Sequence, residues 1–272
     1  MLILKLAVVP CFLALLSYVG RRWGAGIAGL LAGFPVVTGP ILVFLTVEQG
    51  PLFAAQAALG AMSAVVACIA FGALYAWASR RWRWPAALAL GYLGWFGVAW
   101  AFSAHELPSW LTIGLTLLSI AAGRRCLPST PTPLPAAAAS PGWELGLRML
   151  AGAALVTAVT LAAQRLGVRW SGLFAMFPVL GTVLGVFTHL RSGAAQVAAL
   201  FRGMFLGFVA FAVFCAVVEQ TLRHWPPLPA FLGAMTAAML VQLFAYRYAR
   251  TATQHRAGPL PARHEAQAPA GH

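Results

Sequence analysis

The sequence contains neither aspartate nor asparagine, and its five acidic residues are all glutamates. Without aspartate the chain cannot form an aspartyl-phosphate intermediate, an Asp-based proton relay or an Asp-rich metal site. Charge of both signs is scarce as well, because only 8% of the 272 residues are charged, whereas soluble domains carry about 25%. These absences exclude a soluble globular enzyme and an intrinsically disordered chain.

Motifs that hold metals, phosphates or nucleophiles are also missing. The four cysteines show no C-x-x-C spacing, no pair of histidines has metal-ligand spacing, and neither G-x-x-x-x-G-K-[ST] nor G-x-S-x-G occurs. We therefore expect no metal site, no cofactor and no catalytic residues, so the chain is not expected to be an enzyme. The net charge of +13 is interpreted as a topology signal, and no nucleic-acid partner is expected.

Apolar residues make up 61% of the sequence. The mean hydropathy is +0.83, and a helix needs about 20 such residues to cross the bilayer. The pattern predicts an all-α polytopic membrane protein with nine transmembrane helices, with the lipid bilayer as a partner and the oligomeric state left open. The predicted spans are residues 2–20, 24–47, 52–78, 85–103, 107–123, 145–163, 170–190, 194–222 and 226–246.

The basic residues favour one orientation of these spans. With nine spans and an external N-terminus, thirteen arginines lie on the cytoplasmic side and four Lys or Arg residues lie outside. If the short fifth span did not cross the membrane, the counts would be eight and nine and the bias would vanish. Because cytoplasmic loops are enriched in Lys and Arg, the counts predict an external N-terminus and a cytoplasmic C-terminus.

The two halves of the chain are similar to each other. Residues 22–75 align without a gap with residues 165–218, at an offset of 143, and 17 of the 54 aligned positions are identical. The identities include Phe34-Pro35-Val36 with Phe177-Pro178-Val179, and Gly50 with Gly193. Such self-similarity indicates an internal repeat.

This repeat predicts how the chain is organised. Residues 1–103 form a first unit of four spans, residues 104–126 a linking span, and residues 145–250 a second unit of four spans. A linker rich in Pro and Ala over residues 127–144 and a disordered tail over residues 251–272 are expected on the cytoplasmic side. Because one span lies between the units, the second unit is inserted upside down, which gives two inverted four-helix repeats. Inverted repeats are typical of secondary transporters.

Short motifs in each half also match a known family. They are Gly172-Leu173, Phe177-Pro178, Glu48-Gln49-Gly50 and Leu228-Pro229-Ala230. On these motifs each half resembles the GlpM family, small bacterial inner-membrane proteins of roughly one four-span unit. The resemblance implies a duplicated GlpM-like architecture and a location in the bacterial inner membrane.

Prolines and glycines interrupt the second span of each unit. Proline removes a backbone donor and clashes with the preceding turn, and the freed groups must be satisfied by protein or water within the membrane. Two such breaks at equivalent depths indicate a transport site, whereas a plain proline kink is the structural alternative. The candidate binding residues at the two breaks are Phe34, Pro35, Thr38, Gly39, Phe177, Pro178, Gly181 and Thr182.

Few ionisable residues lie near the predicted spans. Arg202 falls inside the eighth span, where exposure to lipid would cost a few kcal/mol. We take Arg202 as a candidate ligand for an anion, with snorkelling to the interface as the alternative. Glu219, Glu48 and His189 are candidates for proton coupling, although each is also suited to a solvated helix end.

Two functions remain open after these exclusions. The inverted repeat and the paired breaks favour a secondary transporter or permease for a small polar or anionic solute or a lipid head group. The alternative is a non-catalytic accessory or structural membrane protein that supports envelope or exopolysaccharide assembly. A broken helix pair that is packed tight, with no cavity between the breaks, would favour the alternative.

The topology can be tested with fusions. Paired periplasmic and cytoplasmic reporters fused after Ala122 and after Arg247 should both report the cytoplasm, because both points follow an odd number of predicted crossings. A periplasmic signal at either point would exclude the odd number of spans and the inversion.

Overall fold

A computed structural model describes residues 2–103, 107–130, 142–166 and 177–256, and the regular elements in these ranges are all α-helices. This confirms the predicted all-α class. We number the helices of the described ranges α1 to α9: Leu2–Trp23, Ala25–Ala32, Thr38–Gln49, Pro51–Ala78, Trp84–Ser103, Ser109–Cys126, Gly142–Leu166, Val179–Thr221 and Pro227–Arg256.

Five of these helices are long and apolar enough to cross a membrane. They are α4, α5, α7, α8 and α9, with qualifying ranges Pro51–Ala78, Trp84–Phe102, Gly142–Ala162, Val179–Thr221 and Pro227–Arg247. These five helices are consistent with the predicted class of helical membrane proteins. Helix α6 begins after Pro108 where the fifth span was predicted, but Arg124 and Arg125 occupy its last turn and shorten its apolar part.

Helix α8 consists of two helical segments. Its 43 residues would extend about 65 Å as one straight helix, twice the thickness of the hydrocarbon core. Gly193, with φ of 74° and ψ of −178°, interrupts the helical dihedrals and separates residues 179–192 from residues 194–221. The interruption lies between the predicted spans 170–190 and 194–222, and residues 170–176 of the earlier span lie outside the described residues.

The predicted break in the second span is confirmed. Helix α2 ends at Ala32, and α3 begins at Thr38 after a non-helical stretch that contains Pro35. The 8 residues of α2 and the 12 of α3 together extend about 30 Å, which is the thickness of one hydrocarbon core.

Two predicted boundaries shift in the structure. Helix α7 begins at Gly142, so the linker predicted over residues 127–144 ends earlier and Glu144 lies in the first helical turn. Helix α9 continues to Arg256, six residues into the tail predicted from residue 251. Residues 131–141 and 257–272, the rest of the linker and tail, lie outside the described residues.

The helix bounds repeat at the same offset as the sequence. Helices α1 and α7 end at Trp23 and Leu166, α4 and α8 end at Ala78 and Thr221, and α5 and α9 begin at Trp84 and Pro227. Each pair is 143 residues apart. Gly50 and Gly193, at the same offset, both have positive φ, of 89° and 74°, a conformation that glycine adopts without steric cost.

Aligned helices pack against each other in antiparallel fashion. Arg148, near the start of α7, donates to Ser17 near the end of α1, and the middles of the two helices meet at Leu13 and Gly152. Likewise Gly72, near the end of α4, contacts Phe201 near the start of the second α8 segment. Helices that align in sequence therefore run in opposite directions.

A very close backbone contact joins α2 to the second segment of α8. A Cβ atom added at Gly29 would overlap the carbonyl oxygen of Leu200, and one added at Gly203 would overlap the carbonyl oxygen of Gly26. One added at Gly33 would lie 2.6 Å from the carbonyl oxygen of Met204. Only glycine lets the two backbones approach this far, as in the small-residue interfaces typical of membrane helices.

The remaining helices pack around this pair. Helix α5 packs along α4 and α9 along α8, while α6 contacts both α4 and α8. The core between them contains buried aromatic side chains from α4, α5 and α8, of which the largest are Trp95, Tyr75, Phe71, Phe201, Phe205 and Phe214.

Two aligned glycines give a matched stability test. Gly203→Ala places a methyl group against the α2 backbone and should destabilise the folded protein by about 1–3 kcal/mol, the usual cost of overpacking. Gly60→Ala, 143 residues earlier, meets no described atom within 4 Å and should be neutral or slightly stabilising. Thermal unfolding of the purified variants measures both, and equal effects would contradict the described α2–α8 contact.

Candidate functional site

The two Phe-Pro-Val segments have the same backbone turn. The Val36 amide donates to the Phe34 carbonyl at 2.8 Å, and the Val179 amide donates to the Phe177 carbonyl at 2.7 Å. Pro178 has φ of −76° and ψ of 58°, the dihedrals of an inverse γ-turn. Each proline therefore lies at the centre of a three-residue turn.

Each turn leads into a helix in the same way. The Gly39 amide donates to the Pro35 carbonyl at 2.9 Å, and the Thr182 amide donates to the Pro178 carbonyl at 2.8 Å. A proline break leaves backbone groups without their helical partners. These hydrogen bonds give such groups partners within the protein, as surroundings without water require. The sequence predicted the positions of the breaks but not this shared geometry.

A cavity of about 1070 Å³ lies between the two turns. Phe34 and Thr38 line it from the first turn, and Phe177, Pro178 and Gly181 line it from the second. Its volume is slightly above the range typical of small-molecule sites, about 300–1,000 Å³. The two breaks are thus not packed against each other.

The other predicted residues of the turns lie behind this lining. Pro35 and Gly39 are buried and support the turn and the start of α3. Thr182 is buried as well, and its hydroxyl lies 3.0 Å from the hydroxyl of Tyr92 in α5, within hydrogen-bonding distance. Five of the eight predicted residues of the breaks therefore line one cavity, and the other three are buried beside them in the sequence.

Tyr92 is a site residue that sequence reasoning missed. Its ring centroid lies 5.0 Å from that of Phe177 and 5.5 Å from that of Phe71, so it connects α5 to the second turn and to α4. Tyr92 lies in an apolar predicted span, and nothing in the sequence indicated a hydrogen-bonding partner for its hydroxyl. The aligned residue in the second repeat is Met235, whose methyl group faces Gly39, so the hydroxyl is specific to one repeat.

Arg202 is not among the residues that line the cavity. Its guanidinium Nη2 donates to the carbonyl oxygen of Pro128 at 2.8 Å. Arg202 thereby ties the second segment of α8 to the residues that follow α6. The sequence could not predict this partner, because 74 residues separate the two positions.

Glu219 is held in a local network. Its carboxylate is 1% exposed and accepts hydrogen bonds from Ser109 of α6, at 3.1 Å, and from Arg223, at 2.7 Å. Gln220 also donates to it, at 2.7 Å. Arg223 in turn lines one end of the cavity. The spacing of four between Glu219 and Arg223 was the signal in the sequence that could have indicated this pair.

The two other candidates for proton coupling lie apart from the cavity lining. Glu48 is exposed near the end of α3. Nδ1 of His189 lies 3.3 Å from the hydroxyl of Tyr75, within hydrogen-bonding distance, and the two rings meet edge to face. Within the described ranges, Glu48, His189 and Glu219 share no hydrogen bond or ion pair with one another.

A second ionic network involves a residue that the sequence did not single out. Glu144, 1% exposed, accepts hydrogen bonds from Arg148 at 2.6 Å and from Arg191 at 2.8 Å. Arg191 lies two residues before the junction at Gly193 and reaches α7 through its bond to Glu144. The network joins α7 to the first segment of α8, and Arg148 also reaches Ser17 of α1.

The described lining of the cavity offers apolar contacts and a few hydrogen-bonding side chains. Among the described residues, no group of three or more His, Cys, Asp or Glu side chains is positioned to hold a metal ion. The described lining is mainly apolar, with hydroxyl and amide side chains such as Thr38, Ser63 and Gln56 between the apolar ones. Such a lining suits noncovalent binding of a small molecule.

The pair formed by Tyr92 and Thr182 can be tested with a double-mutant cycle. Tyr92→Phe and Thr182→Val should each lower the free energy of unfolding by about 1 kcal/mol, because each leaves one buried hydroxyl without its partner. The free energy of unfolding of the double variant should exceed the value expected from adding the two single effects by about 0.5–1.5 kcal/mol. Tyr18→Phe, on the exposed face of α1, is the control, and strict additivity would show that the hydroxyls do not interact.

Comparison with known proteins does not supply a family for this chain. No family model, no curated protein and no solved structure matches it. The resemblance to the GlpM family, drawn from short motifs, therefore stays a prediction. Function has to be argued from the cavity and the two turns.

Proposed function

We propose that this chain is a secondary transporter or permease whose central site is the cavity between the two Phe-Pro turns. The observation that carries the proposal is the cavity itself, which residues of both turns line together. A transporter site is expected near the bilayer midplane, at the interface of its repeats and beside interrupted helices.

The arrangement of the helices supports an inverted repeat. Helix bounds recur at an offset of 143 residues, and the same inverse γ-turn occurs at both prolines. Helices α1 and α7, which are aligned in sequence, pack antiparallel, and so do α4 and the second segment of α8. A pseudo-two-fold axis in the membrane plane relates repeats in this way.

The proposal includes the full topology of nine spans. Helices α2 and α3 together supply one crossing, and the two segments of α8 belong to two crossings. The Lys and Arg distribution favours an external N-terminus and a cytoplasmic C-terminus, and the GlpM resemblance favours the bacterial inner membrane. A non-enzymatic role follows from the binding character of the cavity. Its solute would be small and polar or anionic, or a lipid head group.

Alternating access can be tested without knowing the substrate. In a variant without native cysteines, Thr38→Cys should react with a membrane-impermeant methanethiosulfonate from both sides of oriented vesicles, because a transporter exposes its site to each side in turn. We expect reaction roughly tenfold faster than at Leu118→Cys, since a thiol needs water to ionise and react. Leu118 is 64% exposed on the outer face of α6 and is the lipid-facing control.

The opposite outcome would favour the accessory role. If Thr38→Cys reacts from one side only, or no faster than Leu118→Cys, the cavity does not alternate and the transport proposal is wrong. Reconstituted protein that is labelled in detergent but not in vesicles would lead to the same conclusion.

A further inference from the structure

Arginine and tryptophan side chains are concentrated in the short connection between α4 and α5. Residues 80–84 are three arginines and two tryptophans, and all five are exposed. Helices α4 and α5 are both long and apolar enough to cross a membrane, so the connection between them belongs at the membrane surface. Tryptophan is enriched at this depth, where the lipid head groups lie.

A hydrogen bond joins the end of α6 to the end of α4. Nε1 of Trp77, in the last turn of α4, donates to the carbonyl oxygen of Cys126 at 2.6 Å. The guanidinium carbon of Arg80 lies 5.1 Å from the centroid of the Trp77 ring. Two arginines from each helix end lie within about one helical turn of this bond. We call these four residues the arginine cluster: Arg80, Arg81, Arg124 and Arg125.

The described acidic residues do not neutralise the arginine cluster. Glu144 and Glu219 form ion pairs with other arginines. Glu48 lies near the end of α3, just before α4 begins, and the cluster is at the opposite end of that 28-residue helix. Within the described ranges, the four positive charges therefore have no carboxylate partner.

The segments outside the described ranges carry too little negative charge to change this. Residues 131–141 contain no charged side chain, and the one charged residue in residues 167–176 is an arginine. Residues 257–272 contain one arginine and one glutamate, whose charges cancel. Glu106 is three residues before the start of α6, whereas the cluster is about 27 Å away at the other end of this helix. The cluster is therefore positive wherever these segments lie.

We infer that the arginine cluster binds the phosphate of an anionic membrane lipid, whose acyl chains lie in the surrounding bilayer. A guanidinium donates paired, charge-assisted hydrogen bonds to a phosphate, and basic residues at a membrane surface attract anionic lipids. The exposed rings of Trp77 and Trp82 favour a lipid over a soluble phosphate, because indole rings are suited to the head-group region. The inference goes beyond transport and requires only a membrane around the helices.

A lipid bound in this way would hold the ends of α4 and α6 together. The two helices are already linked at this end by the bond between Trp77 and Cys126, and the arginines around the bond repel one another. A phosphate between them would offset this repulsion. We therefore expect the lipid to stabilise the folded protein as well as to bind it.

The experiment measures the melting temperature of the full-length protein, purified in detergent and washed free of lipid. Three probes are compared: dioleoyl phosphatidylglycerol, dioleoyl phosphatidylcholine and glycerol 3-phosphate. Phosphatidylglycerol should raise the melting temperature with increasing concentration, because a ligand that binds the folded state stabilises it. Phosphatidylcholine has the same acyl chains but no net charge, and should bind roughly tenfold more weakly. Glycerol 3-phosphate, which lacks the acyl chains, should give no shift.

One pair of double variants tests whether the cluster is a defined site. Arg80→Gln with Arg125→Gln removes one positive charge from each helix end, and should weaken phosphatidylglycerol binding by roughly tenfold or more. Arg21→Gln with Arg22→Gln is the matched control. It also removes two exposed arginines from a helix end, but α1 packs against α2 and α7. The control should bind like the unmodified protein.

A second pair of variants keeps every charge, and so keeps the Lys and Arg distribution on which insertion depends. Trp77→Phe removes the N–H group that donates to the carbonyl oxygen of Cys126. Because the ends of α4 and α6 are then held less firmly, phosphatidylglycerol should bind roughly threefold to tenfold more weakly. Trp110→Phe, at an exposed position near the start of α6, is the control and should bind normally.

Each contrary result overturns the inference in a defined way. Equal binding of phosphatidylcholine shows that the charge of the head group is not recognised, and a shift with glycerol 3-phosphate shows a site for soluble anions instead of a lipid. An equal loss in the α1 double variant shows diffuse attraction to surface charge. Normal binding by both the Arg80 and Arg125 double variant and Trp77→Phe excludes the arginine cluster as the site. The reaction of Thr38→Cys tests transport separately from all of these results.

Discussion

The rest of the structure depends on the backbone contact between α2 and the second segment of α8. Within lipid, helices gain little from excluding water, and close packing of small residues replaces the hydrophobic effect. Gly29 of α2 and Gly33, which follows its last residue, face Gly203 and Gly207 on α8 so closely that no side chain fits between them. This contact anchors the eight residues of α2, which would be too short to be stable alone. It also fixes where the chain must turn at Pro35.

The turn that follows does not need water to be stable, because its polar groups find partners within the protein. The inverse γ-turn and the first hydrogen bond of the next helix satisfy the groups around Phe34, Pro35 and Gly39, so the break needs neither lipid nor bulk water to be tolerated. The same turn and hydrogen bonds occur at Phe177 and Pro178, so the N-terminal ends of two helices lie beside one cavity. Rigid turns of this kind can shape a binding site more precisely than flexible loops.

Local rules predicted much of this architecture from the sequence. Proline and glycine placed the breaks near residues 35 and 178, and the repeat aligned Gly50 with Gly193, which share positive φ. Side-chain partners distant in sequence could not be predicted in the same way. Arg202 reaches the carbonyl of Pro128 rather than the cavity, and Glu144 is buried between two arginines although it lies beside a linker. Those contacts depend on tertiary packing, which propensity and hydropathy do not encode.

Gly60 and Gly203 occupy aligned positions in the two repeats. Gly203 lies against the backbone of α2, whereas residues 168–175, which align with α2 in the second repeat, lie outside the described residues. Gly60 is among the residues that line the cavity. The surface of α4 that corresponds to the α2 contact therefore borders the proposed site, and a change in helix packing at this surface would reshape the cavity, as alternating access requires.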